Sequence, residues 1–148
     1  MRLLRAIARR PLADTALVAH AVTIHAMVAL LLPFLGLRRL TSCLTRVSTA
    51  RARRGADLPC NSRVDHMVWA VRTATHLVPA GRTCLTQALT AQHLVRCHGG
   101  DATLLLGVAA DPVKPFAAHA WLEAAGRIII GGESAAGYAP FPIPQEMR

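Results

Sequence analysis

The stretch Gly81-Arg82-Thr83-Cys84-Leu85-Thr86-Gln87-Ala88-Leu89-Thr90-Ala91-Gln92-His93-Leu94-Val95-Arg96 decides how the chain is read. It opens as a loop ending in Gly and Thr and continues as a helix, which puts Cys84 in the helix's first turn. Backbone N–H groups there have no intrahelical partners and the macrodipole is positive, so a thiolate is favoured over a thiol. Further on, Ala118-His119-Ala120-Trp121-Leu122-Glu123 alternates as a strand with His119 in it. A helix-borne Cys followed in the chain by a strand-borne His is an order in which an imidazole can activate a sulfur nucleophile.

Working outward from Cys84, Pro79-Ala80-Gly81 stops the preceding helix, which Ser62 can cap and which runs to about Val78. Val64, Met67, Val68 and Val71, with Ala74 or Thr75, form its apolar stripe. On the other side, His98-Gly99-Gly100 ends the Cys84 helix with a glycine cap. The period then changes to that of strands. Thr103 to Ala109 reads as a short buried strand, Asp111-Pro112 as a turn, and Val113 to Phe116 as a loop. Ala117 to Ala124 puts His119, Trp121 and Glu123 on one face. Ala125-Gly126 is a hairpin turn, Arg127 to Ile130 a third strand, and Gly131-Gly132-Glu133 leaves it. Tyr138, three prolines and Phe141 make a tail expected to lie over the sheet.

The amino-terminal third is helical and apolar. Residues 2 to 10 suit a short amphipathic helix with a basic face, and Asp14 or Thr15 can cap the next one after Pro11. From Thr15 to Leu37 there is no Asp, Glu, Lys or Arg. Pro33-Phe34-Leu35-Gly36 breaks this run and leaves about 18 good helical residues, the lower limit for spanning a bilayer. His20, Thr23 and His25 lie within it, and polar residues are disfavoured in mid-bilayer. A buried or groove-lining helix is therefore expected, with membrane contact as the alternative. A third basic amphipathic segment runs from Leu37 to about Arg54. Gly55 to Ser62 is the clearest internal boundary, dividing a helical region over 1–58 from a core over 62–148.

Composition narrows the function classes. Hydrophobic residues make up 53% of 148, which excludes disorder. A net charge of +9 points to an anionic partner, but aromatic residues are only 4% and no nucleic-acid motif is present, so nucleic-acid binding is not expected. Cys43, Cys60, Cys84 and Cys97 show neither CxxC pairing nor the density of a disulfide scaffold, as suits free thiols in a reducing cytoplasm. Pro11, Asp14, the length of the apolar run and the lack of a small-residue cleavage site argue against a secretion signal. His20 and His25 are not four apart and Cys97-His98 has no partner pair, so no metal site is expected. No P-loop is present and no cofactor is implied.

The bland reading of an isolated Cys is a small buried hydrophobe, and a strand His is usually structural. Cys84 departs from that by standing at a helix start, unlike Cys43 and Cys97. His119 departs from it by standing in a strand entered from the Asp111-to-Phe116 loop, with Trp121 on the same face to shield an ion pair.

The pattern Thr83-Cys84-Leu85-x-Gln87-Ala88-Leu89, Leu105-x-Gly107-Val108, Asp111-Pro112, Ala118-His119-Ala120-Trp121-Leu122-Glu123 and Gly126-Arg127 closely resembles the lasso-peptide maturation proteases. These look like the C-terminal half of the microcin-processing McjB-type protein, within the transglutaminase-like cysteine proteases. The match covers roughly Ser62 to Phe141.

The resemblance implies an α+β, papain/transglutaminase-like protease core preceded by helices, and a cysteine peptidase that removes the leader from a ribosomally made lasso-peptide precursor. It implies a stand-alone form working with a small separate leader-binding protein and an ATP-dependent, asparagine-synthetase-like cyclase. Carried onto this chain, Cys84 is the nucleophile and His119 the base, then the acid for the departing amine. The family's acidic orienter falls about a dozen residues after the His, where this chain has Gly131. Glu133 is the nearest carboxylate and the first candidate, and Asp111 is the alternative. The oxyanion hole would include the Cys84 N–H, with a second donor left open. An acyltransferase acting on amines and a non-catalytic scaffold docking precursor and cyclase are the competing readings.

Overall fold

The computed structural model describes residues 11–52, 61–79, 81–109, 117–124 and 126–141. Three long helices pack together, and the second and third of them pack against a small antiparallel sheet. Helix α1 is Leu12–Ala52, α2 is Asn61–Leu77 and α3 is Cys84–Cys97; strands β1 (Ala102–Ala109), β2 (Ala118–Ala124), β3 (Arg127–Ile130) and β4 (Tyr138–Phe141) follow, with a one-turn helix α4 (Gly132–Ala135) between β3 and β4. The strand order is β3-β2-β1-β4.

Helix α1 is two helices joined at a kink. Gly36 has φ 70° and ψ 166°, a non-helical conformation open to glycine, whereas Pro33 is accommodated within the helix. The expected break between Thr15 to Leu37 and the basic third segment thus falls at Gly36. The helix is long and apolar enough to cross a membrane, but Val18, Ala21, Ile24, His25 and Val28 are buried against the other helices. Leu30 and Phe34, next to the kink, are 66% and 78% exposed.

Helix α2 begins at Asn61, so Ser62 lies inside its first turn and not at the cap. Its predicted stripe is buried at Val64, Met67, Val71 and Ala74, with Ala70 added. Helix α3 ends as the glycines require: Gly99 has φ 79°, its N–H reaches the Arg96 carbonyl, and the Gly100 N–H reaches the Val95 carbonyl.

The core lies between α3 and the sheet. Leu89, Leu94 and Val95 of α3 meet Leu104 of β1 and Ala120 and Leu122 of β2, and the cluster continues through α2 into α1. Arg96 ties three elements together, donating to Thr45 Oγ1 of α1 at 3.0 Å and to the Ala102 carbonyl at the start of β1 at 3.2 Å. Gln92 Nε2 reaches the same carbonyl at 3.1 Å.

Two features depart from the sequence reading. The Tyr138-to-Phe141 segment pairs in the plane of the sheet, with Tyr138 opposite Ala109 and Phe141 opposite Leu106, and does not lie across its face. Proline is tolerated there because β4 is an edge strand. Helix α4 was not expected, because a single turn has no periodicity to read. The expected amphipathic segment over 2–10, the boundary residues 55–60, Asp111 and the loop 113–116 lie outside the described residues.

Candidate active site

Cys84 is the first residue of α3 and is half-buried. The start of that helix is held by a reciprocal cap in which the Thr83 hydroxyl accepts from the Thr86 N–H at 3.1 Å and the Thr86 hydroxyl accepts from the Thr83 N–H at 3.2 Å. The Thr86 hydroxyl also donates to the Gly81 carbonyl. Gly81 has φ 75°, and a Cβ placed there would collide with Ala29 Cβ. The loop before Cys84 is therefore pressed onto α1, which frames the site. Behind it, the Thr90 hydroxyl donates to the Thr86 carbonyl at 2.7 Å and meets His25 Nδ1 at 3.3 Å. With that hydroxyl proton committed, His25 Nδ1 carries the hydrogen, and the unpartnered Nε2 keeps a lone pair. Burial holds the His25 pKa below its usual value, as this neutral state requires.

His119 stands on β2 opposite Gly107 of β1. Ala120, Leu122 and Ala124 of the same strand enter the helix-facing core, so the alternation sends His119, Trp121 and Glu123 to the other face, as read from the sequence. The imidazole is held from three directions. Trp121 stacks with it at 6.1 Å between ring centroids and 20° between planes, and Tyr138 of β4 lies at 5.0 Å. Gly107 makes room for that indole, since a Cβ on it would lie 2.9 Å from the Trp121 ring.

The third contact is a hydrogen bond of 2.8 Å between His119 Nε2 and the Gly131 carbonyl. A carbonyl only accepts, so Nε2 carries the hydrogen and Nδ1 is left with the basic lone pair. Gly131 is the position where the resemblance places an acidic side chain. It has φ 80°, and a Cβ on it would sit 2.8 Å from the Ala120 carbonyl and 3.2 Å from His119 Nε2. No side chain fits there, and the main chain supplies the acceptor instead. Glu133 is exposed in the single turn of α4, two residues beyond, and makes no hydrogen bond to His119. Asp111 lies outside the described residues.

A cleft of about 460 Å³ lies close by, with neither Cys84 nor His119 in its lining. It is lined by Gln87 of α3, one turn after Cys84, by Arg72 of α2, and by the segment from Ile128 through Gly131 and Glu133 to Ser134. Among the described residues no hydrogen bond joins Cys84 Sγ to the His119 ring. Cys84 thus stands at a helix start on the helical side, and His119 past the end of the short strand β3, each held by its own set of contacts.

A family model described as the transglutaminase-like superfamily matches residues 27–142, which takes in α2, α3, the whole sheet and most of α1. The chain belongs to the transglutaminase-like superfamily. No curated protein and no solved structure matches it. The α+β arrangement, helices followed by a small antiparallel sheet, is that of a transglutaminase-like domain. Superfamily membership fits cysteine peptidase or acyltransferase chemistry in general. In this transglutaminase-like chain the residues that sequence reasoning did not single out are Gly131 as acceptor, Tyr138 as ring support and Arg72 in the cleft. The glycine at the acidic position was the one signal that pointed to the first of them.

Proposed function

We propose that the protein is a cysteine peptidase that removes the leader from a lasso-peptide precursor, with Cys84 as nucleophile and His119 as base. The observation that carries this reading is the His119 Nε2–Gly131 bond, which commits one ring nitrogen to the backbone and leaves Nδ1 as a proton acceptor. Catalytic hydrogen bonds are often long or unformed in the absence of substrate and tighten when it binds. Cys84 and His119 are not hydrogen-bonded in this structure, and the proposed mechanism requires them to be brought together when substrate binds.

In the reaction, Nδ1 takes the Cys84 proton as sulfur adds to the scissile carbonyl. The imidazolium then protonates the departing amine, and water, deprotonated by the same nitrogen, releases the leader carboxylate from the thioester. The Cys84 N–H, at a helix start with no intrahelical partner, is one donor to the oxyanion, and the Gln87 amide, one turn further along the helix, is the candidate for the second. The Gly131 carbonyl, a neutral acceptor, serves where a carboxylate would be expected. Glu133, exposed at the cleft wall two residues past Gly131, is the candidate carboxylate to support the imidazolium.

The partners in this reading are the precursor, a small leader-binding protein and an asparagine-synthetase-like cyclase, in the cytoplasm. Exposed Leu30 and Phe34 beside Arg38 and Arg39 suit peripheral contact with an anionic bilayer. The test is reconstitution with precursor and leader-binding protein, followed by mass spectrometry. Hydrolysis yields free leader and core peptides and stops in Cys84→Ala and His119→Ala. Incorporation of an added amine would instead favour the acyltransferase reading. Full activity in either variant would exclude the mechanism, and binding without cleavage by the wild type would favour a scaffold.

A further inference from the structure

We propose that His20, His93 and Cys97 form a site for a thiophilic divalent metal ion, of the zinc type, that clamps α1 to α3. The ligand atoms of the three side chains all lie within 4.8 Å of one another. In a tetrahedral site, Zn–N of about 2.0 Å and Zn–S of about 2.3 Å imply ligand atoms roughly 3.3–3.5 Å apart. Cys97 Sγ and His93 Nε2 already stand 3.3 Å apart, so only His20 has to close in. His93 and Cys97 are four residues apart on one face of α3, and His20 comes from α1, its ring edge-on to His93 at 5.6 Å.

The surroundings explain why these groups are not ordinary core residues. His93 and Cys97 are each 2% exposed, within an interface that also buries Leu, Val and Ala side chains and the His25–Thr90 pair. His93 Nδ1 makes no hydrogen bond of good geometry, and the Leu44 carbonyl is the backbone group that acts on this buried imidazole. The protonation states suit a ligand set. Burial lowers the pKa of both imidazoles, with Arg51 and His98 adding to it at His20, and with His20 and Arg51 adding to it at His93 against the Leu44 carbonyl. Burial raises the Cys97 thiol while Arg51 acts the other way, and coordination would displace its proton outright. Two imidazoles and a thiolate leave one position for water, and His20, only half-buried, gives that side an entry path. The site is separate from the proposed peptidase centre and does not depend on it.

The test is titration of the full chain, cleared of metal by chelator and kept reduced, with Co²⁺ as the probe. The expected result is a near-ultraviolet thiolate charge-transfer band with tetrahedral visible bands, saturating at one equivalent. The band persists in Cys84→Ala and disappears in Cys97→Ser. His20→Gln, at a half-buried position, retains the far-ultraviolet circular dichroism of the parent and loses affinity by about tenfold or more. That variant keeps the test decisive if Cys97→Ser fails to fold. The proposal is overturned if the folded parent gives no charge-transfer band, if the band survives in folded Cys97→Ser or is lost in Cys84→Ala, or if His20→Gln binds Co²⁺ as tightly as the parent.

Discussion

His119 donates its Nε2 hydrogen to the carbonyl of Gly131, and the conformation that presents this carbonyl is one that only glycine adopts without strain at that position. The acceptor is part of the backbone, so its placement depends on a left-handed φ and on the absence of a side chain.

Gly131→Ala should therefore disturb both stability and catalysis. The positive φ and the 2.8 Å approach to the Ala120 carbonyl together should cost about 1–3 kcal/mol. Because the shift needed to relieve the clash moves the His119 acceptor, leader release should fall beyond what lost stability explains. Urea unfolding and single-turnover cleavage by the folded fraction separate the two effects.

Gly81→Ala tests the frame around the other half of the site. The new methyl collides with Ala29 Cβ, so the loop must lift from α1 or the helix must shift, at a cost of about 1–3 kcal/mol. A pair with Ala29→Gly should recover the part of the loss due to the Ala29 methyl and leave the part due to the left-handed φ, which a double-mutant cycle in urea would measure.

Gln87→Ala should leave folding nearly unchanged, because the side chain is only half-buried and lines the cleft. If its amide assists the oxyanion, kcat should fall by about 10²-fold with little change in KM. Steady-state cleavage kinetics on a precursor peptide provide the check.

Stability should depend on pH through the α1–α3 interface. Burial, with His20 and Arg51 adding to it and the Leu44 carbonyl opposing it, lowers the His93 pKa from 6.5 to about 4. Between those values the unfolded chain binds more protons than the folded one, so stability falls as pH drops from about 6.5 toward about 4 and is retained above. His20 and His25 are shifted in the same direction, each mainly by burial. With chelator present, the urea midpoint should decline through this range, and His93→Gln should decline less steeply.

The element order was legible because each signal was local. Thr83 before an apolar run marked a helix start, Gly99-Gly100 marked its end, and alternation from Ala118 to Ala124 gave the strand and the face shared by His119 and Trp121. The in-plane pairing of Tyr138 with Ala109 was not legible, since strand partnership is a long-range property and the proline-rich composition favoured a loop. Gly131 was recognised as standing at the acidic position, but a backbone acceptor has no side-chain signature. His93 and Cys97, four apart on one helix, were visible as a pair in principle. Their meeting with His20 follows only from the packing of α1 on α3.

The proposed nucleophile is tested most directly by the rate at which iodoacetamide modifies Cys84, read by peptide mass spectrometry against Cys43 of the same chain as an exposed reference. The account predicts that half-buried Cys84 reacts faster than Cys43 at neutral pH and that His119→Ala slows Cys84 while leaving Cys43 unchanged. A Cys84 that reacts more slowly than Cys43, at the same rate with or without the imidazole, would contradict it.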